Sequence, residues 1–277
     1  MICGTGIFPV PFFFGKSMIE VLKVSYPSIA AMRNERLNML PAFQDVYLEL
    51  MIPSSDYFLI TSNESEAGYV IRSANGILIE FYLKEEYIVD CPVYFDLIIY
   101  TLNVKRIYCQ SFDALLLNCC VLKNHPYRIE GWLFRDFLHT ENFFKGDMTL
   151  RFAGKTDYPL LYEQPDGLYE SPEELEMLIN GQNILMFYLG SSLVGCGFLI
   201  QVHPDFSFYD IGMWVHPDFR RKSFATQIIS YLKHLCLENN WTPICGCAAD
   251  NEASQKTLAK NGFFSKYKLI EFCVQTK

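Results

Sequence analysis

Asp210-Ile-Gly-Met-Trp-Val215-His-Pro-Asp-Phe-Arg220-Arg-Lys-Ser-Phe-Ala225-Thr226 is the stretch that decides the fold. Residue alternation predicts a strand that ends at Val215, and Pro217 stops its pairing. Three cations then lead into the first turn of a predicted helix over 224–239. The first turn of a helix has free N–H groups and the positive end of the dipole, so it suits a phosphate or pyrophosphate. Each cation there opposes the dipole by about 0.3–1 kcal/mol, which favours a bound polyanion over an ordinary helix start.

The side chains around this turn also suit an anion. Small residues at Ser223 and Ala225 allow a close approach to the backbone, and the hydroxyls of Ser223 and Thr226 can donate hydrogen bonds. The spacing Val215-His-Pro217 followed by Arg220-x-x-Ser223-x-Ala225 resembles the acyl-CoA pyrophosphate motif of the GNAT N-acetyltransferase superfamily. Downstream, Asn251-Glu-Ala-Ser-Gln-Lys-Thr-Leu258-Ala-Lys-Asn-Gly-Phe263 is similar to the second signature of that superfamily. The resemblance covers about Met148–Phe272.

The resemblance implies acetyl-CoA as acyl donor and assigns residues to it. The strand end would bind the pantetheine arm, the helix start would hold the pyrophosphate, and the next helix would line the cofactor. The implied residues are Met213, Trp214, Val215, Arg220, Arg221, Lys222, Ser223, Phe224, Ala225, Thr226, Asn251 and Ser254. It also implies that two central parallel strands splay apart at Val215 and Gly246, and that an amine attacks the acetyl group directly.

Asp210 is the candidate catalytic base, because many members of the superfamily place a carboxylate five residues before the motif valine. A structural carboxylate at the edge of a strand is an equally weighted alternative. Two residues depart from the motifs: Ser223 replaces a glycine, and Leu258 stands where a tyrosine commonly protonates the leaving thiolate. Tyr267 is only a weak substitute for that acid.

The order of predicted elements occurs twice along the chain. We predict a leader or misassigned start over 1–17, a degenerate GNAT-like domain over 18–147 and a GNAT acetyltransferase domain over 148–277. Each domain is predicted to be a mixed, mostly antiparallel twisted sheet flanked by helices. The first half has no anion site where the loop should be, because the segment 84–93 contains no glycine and carries Glu85, Glu86 and Asp90.

Composition limits the class of protein. The 277 residues include 23 Lys and Arg and 31 Asp and Glu, a net charge of −8 that excludes nucleic-acid binding through bulk electrostatics. The 10 cysteines have no paired spacing and predict a reducing cytoplasmic setting, and neither they nor the 5 histidines form a metal motif. The apolar stretch 7–14 is too short to span a membrane.

The predicted function is acetyl transfer to a primary amine of a small molecule, peptide or protein. The alternative is a weak or inactive acyl-CoA-binding protein with a regulatory or partner-binding role, and the first half is a candidate surface for a protein partner. The acceptor region, 157–183, is rich in carboxylates, which favours a cationic acceptor but also fits a solvated helix face. These carboxylates are Asp157, Glu163, Asp166, Glu170, Glu173, Glu174 and Glu176.

Overall fold

A computed structural model describes residues 12–14, 17–164, 169 and 171–275. The chain divides into two compact units, residues 1–130 with 268–277, and residues 131–267. Most of the predicted leader, 1–17, lies outside the described residues. Within the described part of the chain, no helix combines the length and apolar character needed to cross a membrane.

The described residues of the first unit form a sheet and four α-helices. Its strands are β1 Phe12–Phe14, β2 Ser17–Val24, β3 Asp56–Ser62, β4 Ser65–Arg72, β5 Ile77–Leu83 and β6 Arg106–Gln110. The strand Tyr267–Cys273, called β15 below, also belongs to this unit from residue 268 onward. Its helices are α1 Ala30–Met39, α2 Val46–Met51, α3 Cys91–Thr101 and α4 Ala114–Leu122. Three-residue 3-10 turns precede α1 and follow α2, and a longer one, Glu85–Asp90, precedes α3.

Neighbouring strands from β1 to β5 are antiparallel, and one parallel pair follows them. Strands β2 to β5 follow one another in the sheet, and β5 then pairs in parallel with β6 at Ile77–Arg106 and Leu78–Ile107. Asn75-Gly76, a dipeptide typical of hairpin turns, lies between β4 and β5, and Gly76 has a φ of +79°, which favours glycine. The aromatic residues Phe81 and Phe95 are buried, as expected for a core.

A buried ionic cluster lies inside the first unit. Glu80 on β5 is fully buried and accepts hydrogen bonds from Arg33 (Nη2–Oε1 2.9 Å), Gln44 (Nε2–Oε1 2.8 Å) and Tyr69 (Oη–Oε2 2.7 Å). The Arg36 Nη1 lies 3.5 Å from the Glu80 Oε1, and the Arg36 Nη2 donates to the Asp113 Oδ2 at 2.6 Å. Such buried charges are tolerated only when they are paired and hydrogen-bonded.

The second unit contains the rest of the chain's regular elements. Its strands are residues 131–134 of β7 Tyr127–Phe134, then β8 Asp136–Phe137, β9 Thr149–Phe152, β10 Ile184–Leu189, β11 Ser192–Gln201, β12 Phe208–Val215, β13 Thr242–Ala248 and β14 Phe263–Phe264; the strand that follows is β15 Tyr267–Cys273. Its helices are α5 Tyr158–Tyr162, α6 Pro172–Asn180, α7 Phe224–Glu238 and α8 Glu252–Lys260. A 3-10 turn, Pro217–Phe219, connects β12 to α7.

The main sheet of the second unit has the order β7-β13-β12-β11-β10-β9. The neighbours are antiparallel except β12 and β13, which run parallel. Helix α7 packs its apolar face on this sheet through Ile228, Ile229 and Leu232, all fully buried. Helix α6 begins as the sequence Ser171-Pro-Glu-Glu174 indicates, because the Ser171 side chain accepts a hydrogen bond from the N–H of Glu174. The mixed, mostly antiparallel α/β architecture predicted from the sequence is therefore confirmed.

The compact units differ from the predicted division at 147/148. Strand β15 pairs with β6 of the first unit from Leu269–Gln110 to Cys273–Arg106. Residues 131–134 of β7 pair with β13 of the second unit. The order of elements along the chain does not predict either pairing, because both pairs join strands that are far apart in the sequence.

The apolar pattern of residues 263–272 predicts one continuous terminal strand, and the structure corrects this prediction. The strand is interrupted at residues 265–266, so that β14 pairs with β8 in a separate small sheet and β15 belongs to the first unit. The Ser265 hydroxyl donates to the carbonyl of Tyr267 at 2.8 Å, a local bond typical of a bend.

Candidate active site

The two parallel strands of the second unit separate at Asp210. Pairing between β12 and β13 runs from Phe208–Thr242 to Asp210–Ile244 and ends there. Beyond this point, β12 stays bonded to β11, and residues 245–248 of β13 bond to β7 instead. The strands therefore splay before the predicted positions, Val215 and Gly246, because β12 remains hydrogen-bonded to β11 and β13 to β7. The separation leaves backbone groups of β12 free to bond a ligand.

A cavity of about 710 Å³ continues from the end of β12 to the starts of α7 and α8. All residues predicted to hold the cofactor line it, except Lys222. The lining comprises Met213, Trp214, Val215, Phe219, Arg220, Arg221, Ser223, Phe224, Ala225, Thr226, Asn251, Ala253, Ser254 and Thr257. The fold thus brings together two motifs that lie about 30 residues apart in the sequence.

The cations of the loop before α7 differ in their contacts. The Arg220 Nε donates to the carbonyl of Val215 at 3.1 Å, which ties the loop to the end of β12. Arg221 is exposed and has a φ of +63°. Lys222 is not among the lining residues; its Nζ donates to the carbonyl of Asp218 at 2.9 Å and lies over the ring of Phe219.

Ser223 is the residue immediately before α7 and has a left-handed conformation, with a φ of +67°. Its side chain makes no capping hydrogen bond to the first turn. The amides of that turn are therefore not satisfied by the serine and face the cavity end of the helix. The left-handed φ supplies a second reason for a glycine at this position, besides the space near a phosphate.

On α8, Asn251 has a structural role as well as a place in the cavity wall. Its Oδ1 accepts a hydrogen bond from the N–H of Ser254 at 3.0 Å and so caps the helix. Sequence reasoning missed three lining residues: Phe219, Ala253 and Thr257. Helical spacing was the available signal for two of them, since Ala253 and Thr257 lie one turn apart and Ser254 lies between them.

Asp210 occupies the vertex of the splay and does not line the cavity. Strand alternation places it on the same face of β12 as Trp214, which belongs to the same buried cluster as Leu161 of α5 and Leu175 of α6. The pKa of the Cys236 thiol on α7 is raised to about 12, mainly by burial and secondly by the negative charge of Asp210.

The described residues beside the splay offer neither a ready thiol nucleophile nor an obvious acid. Burial raises the pKa of the Cys247 thiol on β13 to about 11, so it is protonated at neutral pH. Leu258, at the position of the common tyrosine, is buried in the core beneath α7. Tyr267 lies outside the cavity lining.

The carboxylates predicted to attract a cationic acceptor are only partly available. Asp157 forms a two-point ion pair with Arg151, Oδ2–Nη1 and Oδ1–Nη2 both at 2.7 Å, and accepts from the N–H of Gly154. The Arg151 hydrogen bonds lower the pKa of Asp157. Asp166 and Glu170 lie outside the described residues. Among the residues that are described, no group of three or more His, Cys, Asp or Glu side chains could hold a metal ion.

Comparison with known families explains the repeated architecture. One model, the acetyltransferase (GNAT) domain, matches residues 25–137, and another, the acetyltransferase (GNAT) family, matches residues 152–263. Together they account for most of the chain. The chain belongs to the GNAT superfamily. Both halves of this acetyltransferase are GNAT domains, and the first half is a GNAT domain without the glycine-containing anion loop.

Solved GNAT structures share this fold across nearly the whole chain. An acetyltransferase of the GNAT family from Colwellia psychrerythraea superposes with a TM-score of 0.80 at 16% identity, covering 92% of this chain and 99% of the other. A tandem GNAT protein from the clavulanic acid biosynthesis pathway superposes with a TM-score of 0.60 at 9% identity, covering 92% and 98%. At these identities the likeness shows the fold alone. No curated protein sequence matches the chain significantly.

Changing Ser223 to the GNAT glycine should stabilise the second unit. A side chain in the left-handed region costs about 1–2 kcal/mol, and the greater unfolded-state freedom of glycine offsets part of the gain. We expect Ser223→Gly to raise the free energy of unfolding by about 0.5–1 kcal/mol, measured by urea titration of tryptophan fluorescence. Ser254→Gly, inside α8, is the matched control and should lower it by about 0.5 kcal/mol. Equal destabilisation by both changes would contradict a strained Ser223.

Proposed function

We propose that the second unit binds acetyl-CoA in the cavity and transfers its acetyl group to a primary amine. The observation that carries the proposal is the splay of β12 and β13 at Asp210, which opens onto the free first turn of α7. An extended chain with a diphosphate matches this combination of unpaired strand and anion-binding helix end. The residues present fit such a ligand, since Ser223 leaves the first-turn amides uncapped and Arg221 has an exposed cation beside them.

Each part of the cavity has a role in this proposal. Backbone groups of residues 213–215 would bond the pantetheine arm, and Arg220, Arg221 and the first-turn amides of α7 would hold the pyrophosphate. Ser254 and Thr257 on α8 would form the opposite wall. When bound, acetyl-CoA supplies an activated thioester carbonyl. The remaining chemistry is alignment of the amine and removal of its proton.

The chain's own residues support direct transfer. The Cys247 thiol is held protonated by burial, so it is a poor nucleophile for an acyl-enzyme. Asp210 at the vertex of the splay would accept the amine proton, through a water because its side chain is short and outside the cavity wall. Thiols ionise near pH 8–9, so the departing thiolate needs only weak assistance, in keeping with the buried Leu258.

Replacing Arg221 by alanine tests the cavity as the cofactor site. Loss of one charge-assisted contact to the pyrophosphate should weaken acetyl-CoA binding about tenfold, or about 1.4 kcal/mol, measured by isothermal titration calorimetry. The difference should shrink at high salt, because exposed charges are screened. Lys256→Ala is the matched control: it removes the same charge from α8, where Lys256 pairs with Glu252 outside the cavity lining. Equal affinity of the Arg221 variant and the wild type would place the cofactor elsewhere.

Turnover decides between the enzyme and a binding protein without catalysis. We expect release of free thiol from acetyl-CoA when a panel of primary amines is added, and none with the matching tertiary amines. Binding of acetyl-CoA without thiol release for any amine would overturn transfer while leaving the cofactor site in place.

A further inference from the structure

Two thiols of the first unit lie closer together than unbonded sulfur atoms usually do. The Sγ atoms of Cys91 and Cys119 are 3.0 Å apart, although the residues are 28 positions apart in the sequence. Cys91 is the first residue of α3, and Cys119 lies on α4. Both are buried, at 5% exposure, in the core cluster of the unit.

The positions of these thiols correspond to those of two cavity residues in the second unit. Phe224 is the first residue of α7, as Cys91 is of α3. Thr257 is the sixth residue of α8, as Cys119 is of α4. In the second unit, this pair lines the cavity between the two helices. In the first unit, the corresponding pair is a thiol–thiol contact.

We propose that Cys91 and Cys119 are a modification site, where a small hydroperoxide oxidises the two thiols to a reversible disulfide that joins α3 to α4. The geometry needs little movement, since the sulfur atoms must approach by only about 1 Å to reach the bonding distance of about 2.05 Å. The bond would join the two helices, α3 and α4, that correspond to the cavity helices α7 and α8 of the second unit.

The surroundings of Cys91 make it the attacking thiol. A hydrogen bond from the Cys119 thiol lowers the pKa of Cys91, against the opposing effect of burial. Its place in the first turn of α3 also favours a thiolate. The 3-10 turn just before it is largely exposed, with Glu85, Glu86 and Asp90 at the surface, which leaves a short path for a small oxidant.

The proposed reaction is balanced with hydrogen peroxide as the oxidant. The Cys91 thiolate attacks one peroxide oxygen and releases hydroxide, which gives a sulfenic acid. The Cys119 thiol then attacks the Cys91 sulfur and releases water, and the S–S bond forms. Two thiols lose two electrons and two protons, and one peroxide becomes two waters. A dithiol reductant reverses the modification.

The full-length protein allows a direct test by non-reducing peptide mapping after peroxide treatment. Trypsin cuts after Lys84, Lys105, Arg106 and Lys123, so it separates Cys91 on peptide 85–105 from Cys119 on peptide 107–123. We expect these two peptides to be linked and the link to disappear with dithiothreitol. Alkylation under denaturing conditions should find two fewer free thiols than in the untreated protein.

Peptide 107–123 also contains Cys109 and Cys120, so a second variant makes the assignment unique. The link should persist in the double variant Cys109→Ser, Cys120→Ser and be absent in Cys91→Ser. Loss of the link in the double variant, a different cysteine pair, or conversion of Cys91 to a sulfinic acid without a link would each overturn the proposal. None of these readouts depends on acetyl transfer by the second unit.

Discussion

Replacing Glu80 by glutamine should lower the free energy of unfolding of the first unit by about 1.5–3 kcal/mol, because Arg33 and Arg36 both lose their charge-assisted contacts with the buried carboxylate that they share. Each guanidinium group then keeps one counterion, Glu49 for Arg33 and Asp113 for Arg36. The Arg33 Nε–H also donates one bifurcated hydrogen bond to both oxygens of Glu80, at 3.2 Å from each. The side chains of Arg33 and Arg36 are only 1% and 5% exposed. Neither charge can be hydrated without opening the core.

The effect has a defined pH dependence. Burial alone would raise the pKa of Glu80, but Arg36 and Arg33 outweigh it and hold the pKa at about 2, below its ordinary 4.5. A group with a lowered pKa in the folded state stabilises the protein above its unfolded pKa, and this stability is lost as the pH falls through the folded value. The difference between the wild type and Glu80→Gln should therefore be full above pH 4.5 and shrink toward pH 2.

Urea titration followed by two probes measures this change. The 3 tryptophans, Trp132, Trp214 and Trp241, all lie in the second unit, so their fluorescence reports that unit, whereas far-UV circular dichroism reports both. Glu66→Gln is the matched control, since Glu66 is 54% exposed and only 3.7 Å from Lys84. It should change the free energy of unfolding by less than about 0.5 kcal/mol. A circular dichroism midpoint for Glu80→Gln equal to that of the control would show that the cluster does not stabilise the unit.

Asp210→Asn should reduce the rate of acetyl transfer about 100- to 10,000-fold, the range for loss of a general base. The affinity for acetyl-CoA should not change, because Asp210 lies outside the cavity lining. The remaining activity should rise steadily with pH, since only the unprotonated amine reacts. Initial rates of thiol release from pH 6 to pH 10, with binding measured in parallel, test both parts.

Asp205→Asn is the control for this substitution. Asp205 is exposed in the turn before β12, so the change removes the same charge five residues away. We expect wild-type rates for it. If Asp210→Asn transfers acetyl as fast as the wild type, Asp210 is a structural carboxylate. If the wild type itself releases no thiol with any amine, the proposed acetyl transfer is wrong. That failure is distinct from the failure of Asp210 as the base, which requires an active wild type.

Local patterns in the sequence predicted most elements of the second unit. Helix α7 begins at its predicted first residue and ends one residue from its predicted end. These elements have strong alternation or helical periodicity, so local residue types determine them. The short helices α2 and α5 were missed because six and five residues carry too little periodicity to identify a helix.

What the sequence could not predict depends on contacts between distant residues. Arg33 and Glu80 are 47 positions apart, and neither has a local signal that it is buried. The left-handed φ of Ser223 contradicts the usual preference of serine, so only the family motif indicated it. The position of the splay depends on the pairing of β13 with residues 131–134, more than 110 positions earlier. Each of these features determines part of the candidate site or of the first unit's core.

The placement of strand β15 constrains the order in which the protein can be made. Residues 268–273 belong to the first unit, although they are translated after the whole second unit. Residues 1–130 are therefore translated before the strand that pairs with β6 exists. The second unit is an insertion within the first, so the sheet of the first unit can gain this strand only after the whole second unit has been made.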